Sequence, residues 1–521
     1  MRPPLTKRRF WLRQLAPLAI LGPLLLPGAL AGCGGDLLGG TRAFPGAVVA
    51  DEPRAAVVGR DILAQGGTAA DAAVAAYFAM SVTLPTSAGL GGGGACVGYD
   101  PERKRFEAID FQPRPTAGGN MAVPTNVRGM ALLHARLGKL PWNQLLGPAE
   151  QMARVGTESS RAFVAELQQA GGLDRAIEQI YSGRDGQPLR EGEKYRQADL
   201  ASSIARIRTN GAGEMYNGQL ARQLVEGAQA AGGDLTLDDL RRFVPQRSDP
   251  MRLAYGNNVL LLPPPSLPGA AIVSDMAAMV ATTNYRSAAQ PERVHIVAAA
   301  VRRAMAAQAR RNAGQTAELG TPARGRMLMA DYRAQGAGAP IPIDLPPDAA
   351  PPAASFVVLD GYKSAVACTV TQGGWFGLGR LAPGTGIALA APPPRGGVLS
   401  MVPLLLVNTN TERSLVALGS VDTAYAAAAA VEVLLGVLIE DRRLEDVIGR
   451  PRLGDDGQTV LLEPEADDTA TSLERLGYRL REVPRIGRVN AIFCTPQLAA
   501  ADAVCEARPD PRTAGLAVGA R

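Results

Sequence analysis

Ala353-Ala354-Ser355-Phe356-Val357-Val358-Leu359-Asp360 is a short apolar run leading into Asp360-Gly361, and Ala365-Val366-Ala367-Cys368-Thr369-Val370-Thr371 is a second such run behind it. Two strand-like runs around an Asp-Gly turn predict an antiparallel hairpin. Around it, strand and helix patterns mix without regular βαβ alternation. That favours antiparallel sheet covered by helices on both faces, an α+β fold.

Upstream of the hairpin, residues 334–354 are rich in Ala, Pro and Gly and read as an exposed linker. Helical patterns precede it near 269–282 and 291–312, after a strand near 258–262 that runs into Pro263-Pro264-Pro265-Ser266. Helical stretches dominate 129–242. Leu140-Pro141-Trp142 starts one, with Pro near the first turn, and Thr236 is the expected N-cap of another. A helical pattern over 55–76 breaks at Gly66-Gly67, and small residues on every face of 67–76 suit close packing against a sheet. Residues 81–94 read as a strand and a glycine-rich turn. Downstream of the hairpin come strands near 398–407 and 414–418, a long helix over 423–440, and C-terminal strands.

The chain of 521 residues is long enough for a large core, and its composition is that of a globular protein. The formal charge of +5 comes from the leader: Arg2, Lys7, Arg8, Arg9 and Arg13 precede Cys33 with no acid among them. Without those five the body is near neutral, which argues against nucleic acid as a partner. The basic start, the apolar run 15–30 with Pro17, Pro23 and Pro27, and Leu30-Ala31-Gly32-Cys33 resemble a signal peptide ending in a bacterial lipobox. That resemblance implies lipidation at Cys33, export, and a lipid bilayer as partner. Gly34 after the Cys leans toward the periplasmic face of the outer membrane. Lys7-Arg8-Arg9-Phe10-Trp11-Leu12-Arg13 also resembles a twin-arginine signal, so both export routes stay open.

An exported body places the other cysteines in an oxidising compartment. Cys494 and Cys505 flank a turn between two apolar runs, so a hairpin disulfide between them is possible. Cys96 and Cys368 sit in strand patterns and read as buried packing residues. The only histidines, His134 and His295, lie on separate helical patterns, which argues against a His-based metal site or triad.

Several segments, in order, resemble the γ-glutamyltransferases, also called γ-glutamyltranspeptidases. They are Gly67-Thr68-Ala69-Ala70-Asp71-Ala72, Gly89-Leu90-Gly91-Gly92-Gly93-Gly94, Leu140-Pro141-Trp142, residues 235–240, Pro263-Pro264-Pro265-Ser266, Pro383-Gly384-Thr385-Gly386-Ile387 and Pro451-Arg452. The likeness spans roughly residues 48–500 and implies an N-terminal-nucleophile hydrolase-like four-layer αββα sandwich. It divides the chain into a leader (1–33), a tether (34–48), a large-subunit region (49–335), a linker (336–354) and a small-subunit region (355–521). By family alone, the substrates are γ-glutamyl compounds such as glutathione. No cofactor and no metal is implied.

The resemblance also implies a self-cleaving Thr at the start of the first hairpin strand. The matched positions are Ala353 and, for the second Thr, Ala354. A methyl group cannot attack a carbonyl. The family Arg that holds the glutamyl carboxylate is matched by Gln112, with Arg114 nearby but read as solvent-facing. The hairpin Asn is Gly373, and the Asn-rich run after Gly386-Ile387 is Ala388-Leu389-Ala390-Ala391-Pro392. Of a Ser-Ser pair, Leu399 replaces the first and Ser400 keeps the second. The Gly-Gly pair of the oxyanion cradle is Asp422-Thr423, whose side chains are expected to alter the turn. Ser355, on the same sheet face as Ala353, is the one candidate nucleophile, after cleavage at Ala354-Ser355. The chain is therefore expected to be an exported, degenerate family member with a binding or structural role at the cell envelope. The alternative is an active amide hydrolase or transferase using Ser355.

Overall fold

The computed structural model describes residues 46–311, 318–344, 350–394, 397–495 and 505–519. The leader, the lipobox Cys33 and most of the tether lie outside the described residues.

The hairpin forms, with Ala353 opposite Thr371 and Leu359 opposite Ala365. Its turn is wider than Asp360-Gly361. The Asp360 carboxylate accepts the Tyr362 and Ser364 N–H groups, each at 2.9 Å, and Lys363 takes the left-handed conformation at φ 69°. The same carboxylate accepts Ala69 N–H at 2.8 Å, which ties the turn to the start of a helix.

The hairpin lies in a seven-stranded sheet ordered 516–519, 46–50, 353–360, 365–371, 93–100, 105–111, 246–248. A second sheet of six strands runs 505–508, 488–494, 413–421, 401–408, 258–262, 251–255. All pairings within both sheets are antiparallel. Val49, Val97, Val357 and Ala367 of the first sheet meet Leu261, Leu405, Ala417 and Ile492 of the second in a buried layer. The outer face of the first sheet packs on the helices Pro53–Ala64, Ala69–Thr83 and Asn126–Leu137. The outer face of the second packs on Pro268–Ala281, Gln290–Ala309 and Ala426–Leu438. The architecture is the αββα sandwich that the sequence led us to expect.

Two expectations need correction. Residues 81–83, read as strand, end the helix Ala69–Thr83. That helix starts in a capping box between Thr68 and Asp71 and is buried on every side, so tertiary packing overrides the β preference of Val82 and Thr83. The supposed tether reaches too far, because residues 46–48 belong to the strand Gly46–Ala50, deep in the first sheet. The regions 49–335 and 355–521 interleave, each contributing strands to both sheets.

Cys96 and Cys368 are not unpaired packing residues. They face each other in register on neighbouring strands and form a buried disulfide that closes 272 residues of chain. A second disulfide joins Cys494 to Cys505 across the strands Arg488–Cys494 and Cys505–Arg508.

Candidate functional site

Side chains alternate along Ala353–Asp360. Ala354, Phe356 and Val358 pack toward the helices, while Ala353 and Val357 pack into the interior clusters on the other face. The Ala353 methyl is fully buried among Ala95, Leu267, Val398, Met401 and Val421. The spot matched to the attacking hydroxyl is a small apolar core.

Ser355 is buried and held on all its polar atoms. Its N–H donates to Asp51 Oδ2 at 2.7 Å, its carbonyl accepts Asp51 N–H at 3.2 Å, and its Oγ accepts Asn490 Nδ2 at 2.8 Å. A Cβ at Gly419 would stand 2.9 Å from Ser355 Cβ, so the opposite sheet closes over this side chain.

The carbonyls approaching this strand are each occupied. Pro351 O accepts Ser400 Oγ at 2.6 Å, Pro352 O accepts Thr371 Oγ1 at 2.5 Å, and Ala353 O accepts Arg488 Nη2 at 2.6 Å. Gln112 donates to both oxygens of Asp110, at 3.1 and 3.2 Å, and Ser266 Oγ donates to the same carboxylate at 2.8 Å. Arg114 is exposed on the short strand Arg114–Pro115. Leu399 is buried in the core of the second sheet. Gly373 has φ 76°, and a Cβ there would lie 2.7 Å from Ala391 O, so no larger residue fits without movement.

Asp422 keeps a left-handed backbone, φ 97°, where the resemblance places a Gly. Its carboxylate pairs with Arg485 and lies 3.8 Å from Arg488 Nε. Thr423 Oγ1 accepts Gly487 N–H at 3.0 Å and so braces the turn.

Sequence reading missed the charged centre of this region. Arg488 is buried between Asp422 and Glu166, whose Oε1 is 3.5 Å away. Glu166 also accepts Ser87 Oγ at 2.9 Å and Thr86 Oγ1. Burial pushes the Glu166 carboxyl up to about 7, against the pull of Arg488. Burial also raises Asp51, again opposed by Arg488. The available signal was weak: polar residues at alternate positions in Arg488-Val489-Asn490, and Asp51-Glu52 directly after an apolar run.

The family model for gamma-glutamyltranspeptidase matches residues 55–392, which includes Gln112 and the whole hairpin. The chain belongs to this family. "Glutathione hydrolase 7" of Mus musculus is 28% identical to it over 495 residues, covering 85% of this chain and 74% of the relative. "Glutathione hydrolase proenzyme" of Escherichia coli (strain K12) is 32% identical over 264 residues, covering 46% of this chain and 45% of the relative. The crystal structure of a cephalosporin acylase from Bacillus halodurans superposes with a TM-score of 0.80 at 20% identity, covering 91% of this chain and 96% of that one. This family member thus carries the N-terminal-nucleophile hydrolase fold, with Ala353 at the head of its hairpin.

Proposed function

We propose that this γ-glutamyltranspeptidase-family protein does not transfer or hydrolyse γ-glutamyl groups. In this reading it is an exported lipoprotein, anchored through Cys33, with a binding or structural role at the cell envelope. The observation that carries the reading is the Ala353 methyl, sealed into an apolar cluster at the nucleophile's place. Nucleophilic catalysis needs an accessible hydroxyl beside a base, and neither is at that position. The internal bonding of Gln112 and the pairing of Asp422 support the same reading. The two disulfides suit an oxidising compartment and so support export.

Three measurements test it. Purified protein incubated with a chromogenic γ-glutamyl anilide should release no dye above blank. A reducing gel should give one band near full length. The gel must be reducing, because Cys96–Cys368 would hold the two products of a cut near 354/355 together. Turnover abolished by Ser355→Ala, with two fragments split at that bond, would replace this reading by catalysis from Ser355. Labelling by radioactive palmitate, lost in Cys33→Ser, tests the anchor.

A further inference from the structure

The sequence holds two Asn-Gly steps, Asn210-Gly211 and Asn217-Gly218. Both asparagines are exposed, and each ends a helix, Ala198–Asn210 and Glu214–Asn217. The side-chain amide carbon of an Asn can be attacked by the backbone nitrogen of the next residue. Gly presents that nitrogen with no Cβ in the way. The nitrogen can attack only when its N–H is free, so the bonding of the two glycines decides between the steps.

Gly218 N–H donates to Glu214 O at 3.2 Å. A Cβ built on Gly218 would lie 2.2 Å from Glu214 Oε2, so this step is also crowded. Gly211 differs on both counts. Its N–H has no acceptor among the described residues, and the carbonyl four residues back, Ile207 O, accepts the Trp142 indole N–H at 3.1 Å. Gly211 has φ 82° and open space where a Cβ would stand. The Asn210 amide donates to Glu214 Oε2, at 3.3 Å. The other oxygen of Glu214 accepts Leu220 N–H at 3.1 Å and so fastens the start of the helix Gln219–Ala230.

We propose that Asn210 is a site of spontaneous deamidation, whose product loosens residues 211–220. Gly211 N loses its proton to solvent hydroxide and bonds to Asn210 Cγ, the Cγ–Nδ2 bond breaks, and ammonia leaves. Water then opens the cyclic imide at either carbonyl, giving Asp or isoaspartate at 210. One water is consumed and one ammonia released, with no change of oxidation state. The new carboxylate replaces the N–H that Glu214 accepted and sits at a helix C-terminus, where an anion is disfavoured. Like charges four residues apart repel, which draws Glu214 away from Leu220 N–H. The change proceeds whether or not the chain is catalytic.

The test keeps the folded, full-length protein in mildly alkaline buffer and maps its peptides by mass spectrometry over time. The peptide carrying residue 210 should exchange NH for O, partly as isoaspartate. The peptide carrying Asn217 should convert about tenfold more slowly, since one backbone hydrogen bond must break first. In urea, where both glycine N–H groups are free, the two should convert alike. Asn210→Asp should speed amide hydrogen exchange at Leu220 relative to Asn210→Ser. Equal rates in the folded protein, no conversion at 210, a difference that persists in urea, or unchanged exchange at Leu220 would overturn the proposal.

Discussion

Restoring the family hydroxyl by Ala353→Thr should damage the protein rather than revive it. Thr adds an Oγ and a methyl to a residue that has no exposed surface and lies in a buried apolar cluster with Ala95, Leu267, Val398, Met401 and Val421. Overfilling a packed core by this amount costs about 1–3 kcal/mol. A hydroxyl placed among these apolar groups without a partner costs about 1–3 kcal/mol more. The sum is a loss of about 2–6 kcal/mol, read as a lower urea midpoint followed by tryptophan fluorescence. Two further variants separate the parts. Ala353→Val carries the volume without the hydroxyl, and Ala353→Ser carries the hydroxyl with less volume. Both should be milder than Thr. Dye release from a γ-glutamyl anilide should stay at blank, since Gln112 and Asp422 remain bonded within the protein. An Ala353→Thr variant as stable as the parent, or one that cuts itself and turns over the donor, would refute the claim that this space is filled.

Further outcomes follow from other contacts. Replacing both Cys96 and Cys368 by Ser opens a 272-residue loop, for which chain entropy predicts a loss of roughly 5–6 kcal/mol, measurable as a lower urea midpoint than that of the oxidised parent. Arg488→Met leaves Glu166, Asp422 and Asp51 without their shared cation and should cost about 3–5 kcal/mol by the same measurement. Glu166 is raised from 4.5 to about 7, so the native state holds a proton that the unfolded chain releases between those values. Its contribution to stability therefore falls as pH rises through that window, by roughly 3 kcal/mol. Glu166→Gln should flatten this decline in urea midpoints collected from pH 4.5 to 7.5, and an unchanged slope would remove Glu166 as its source.

Local features of the fold were legible, and features made by distant contacts were not. The hairpin was visible because both strands and the turn lie within 19 residues of sequence, 353–371. The Thr236 cap was visible because the hydroxyl and the Asp239 N–H that it accepts are three residues apart. By contrast, the pairing of Cys96 with Cys368 depends on strands 272 residues apart becoming neighbours. The charged centre draws on Asp51, Glu166, Asp422 and Arg488, each on a different element. No spacing rule connects those four. The residues 81–83 were misread because Val82 and Thr83 favour strands locally, whereas their burial within the capped helix is set by the whole first layer.

In the proposed reading, the altered positions share a physical logic. A working acyl-transfer site keeps donors and acceptors partly unmet until substrate arrives, since these are the groups that stabilise the transition state. Here the polar groups around the head of the hairpin bond within the fold. Ser400 and Thr371 cap the Pro351 and Pro352 carbonyls, Arg488 caps that of Ala353, and Gln112 closes on Asp110. Asp422 holds a backbone conformation better suited to Gly, a strain of order 1–3 kcal/mol, opposed by its ion pairs with Arg485 and Arg488. A substrate entering this region would have to break bonds that now stabilise the sandwich. In that reading, reversing one substitution removes a structural contact before it adds a catalytic one, and recovery of γ-glutamyl chemistry is expected to require changing Ala353, Gln112 and Asp422 together.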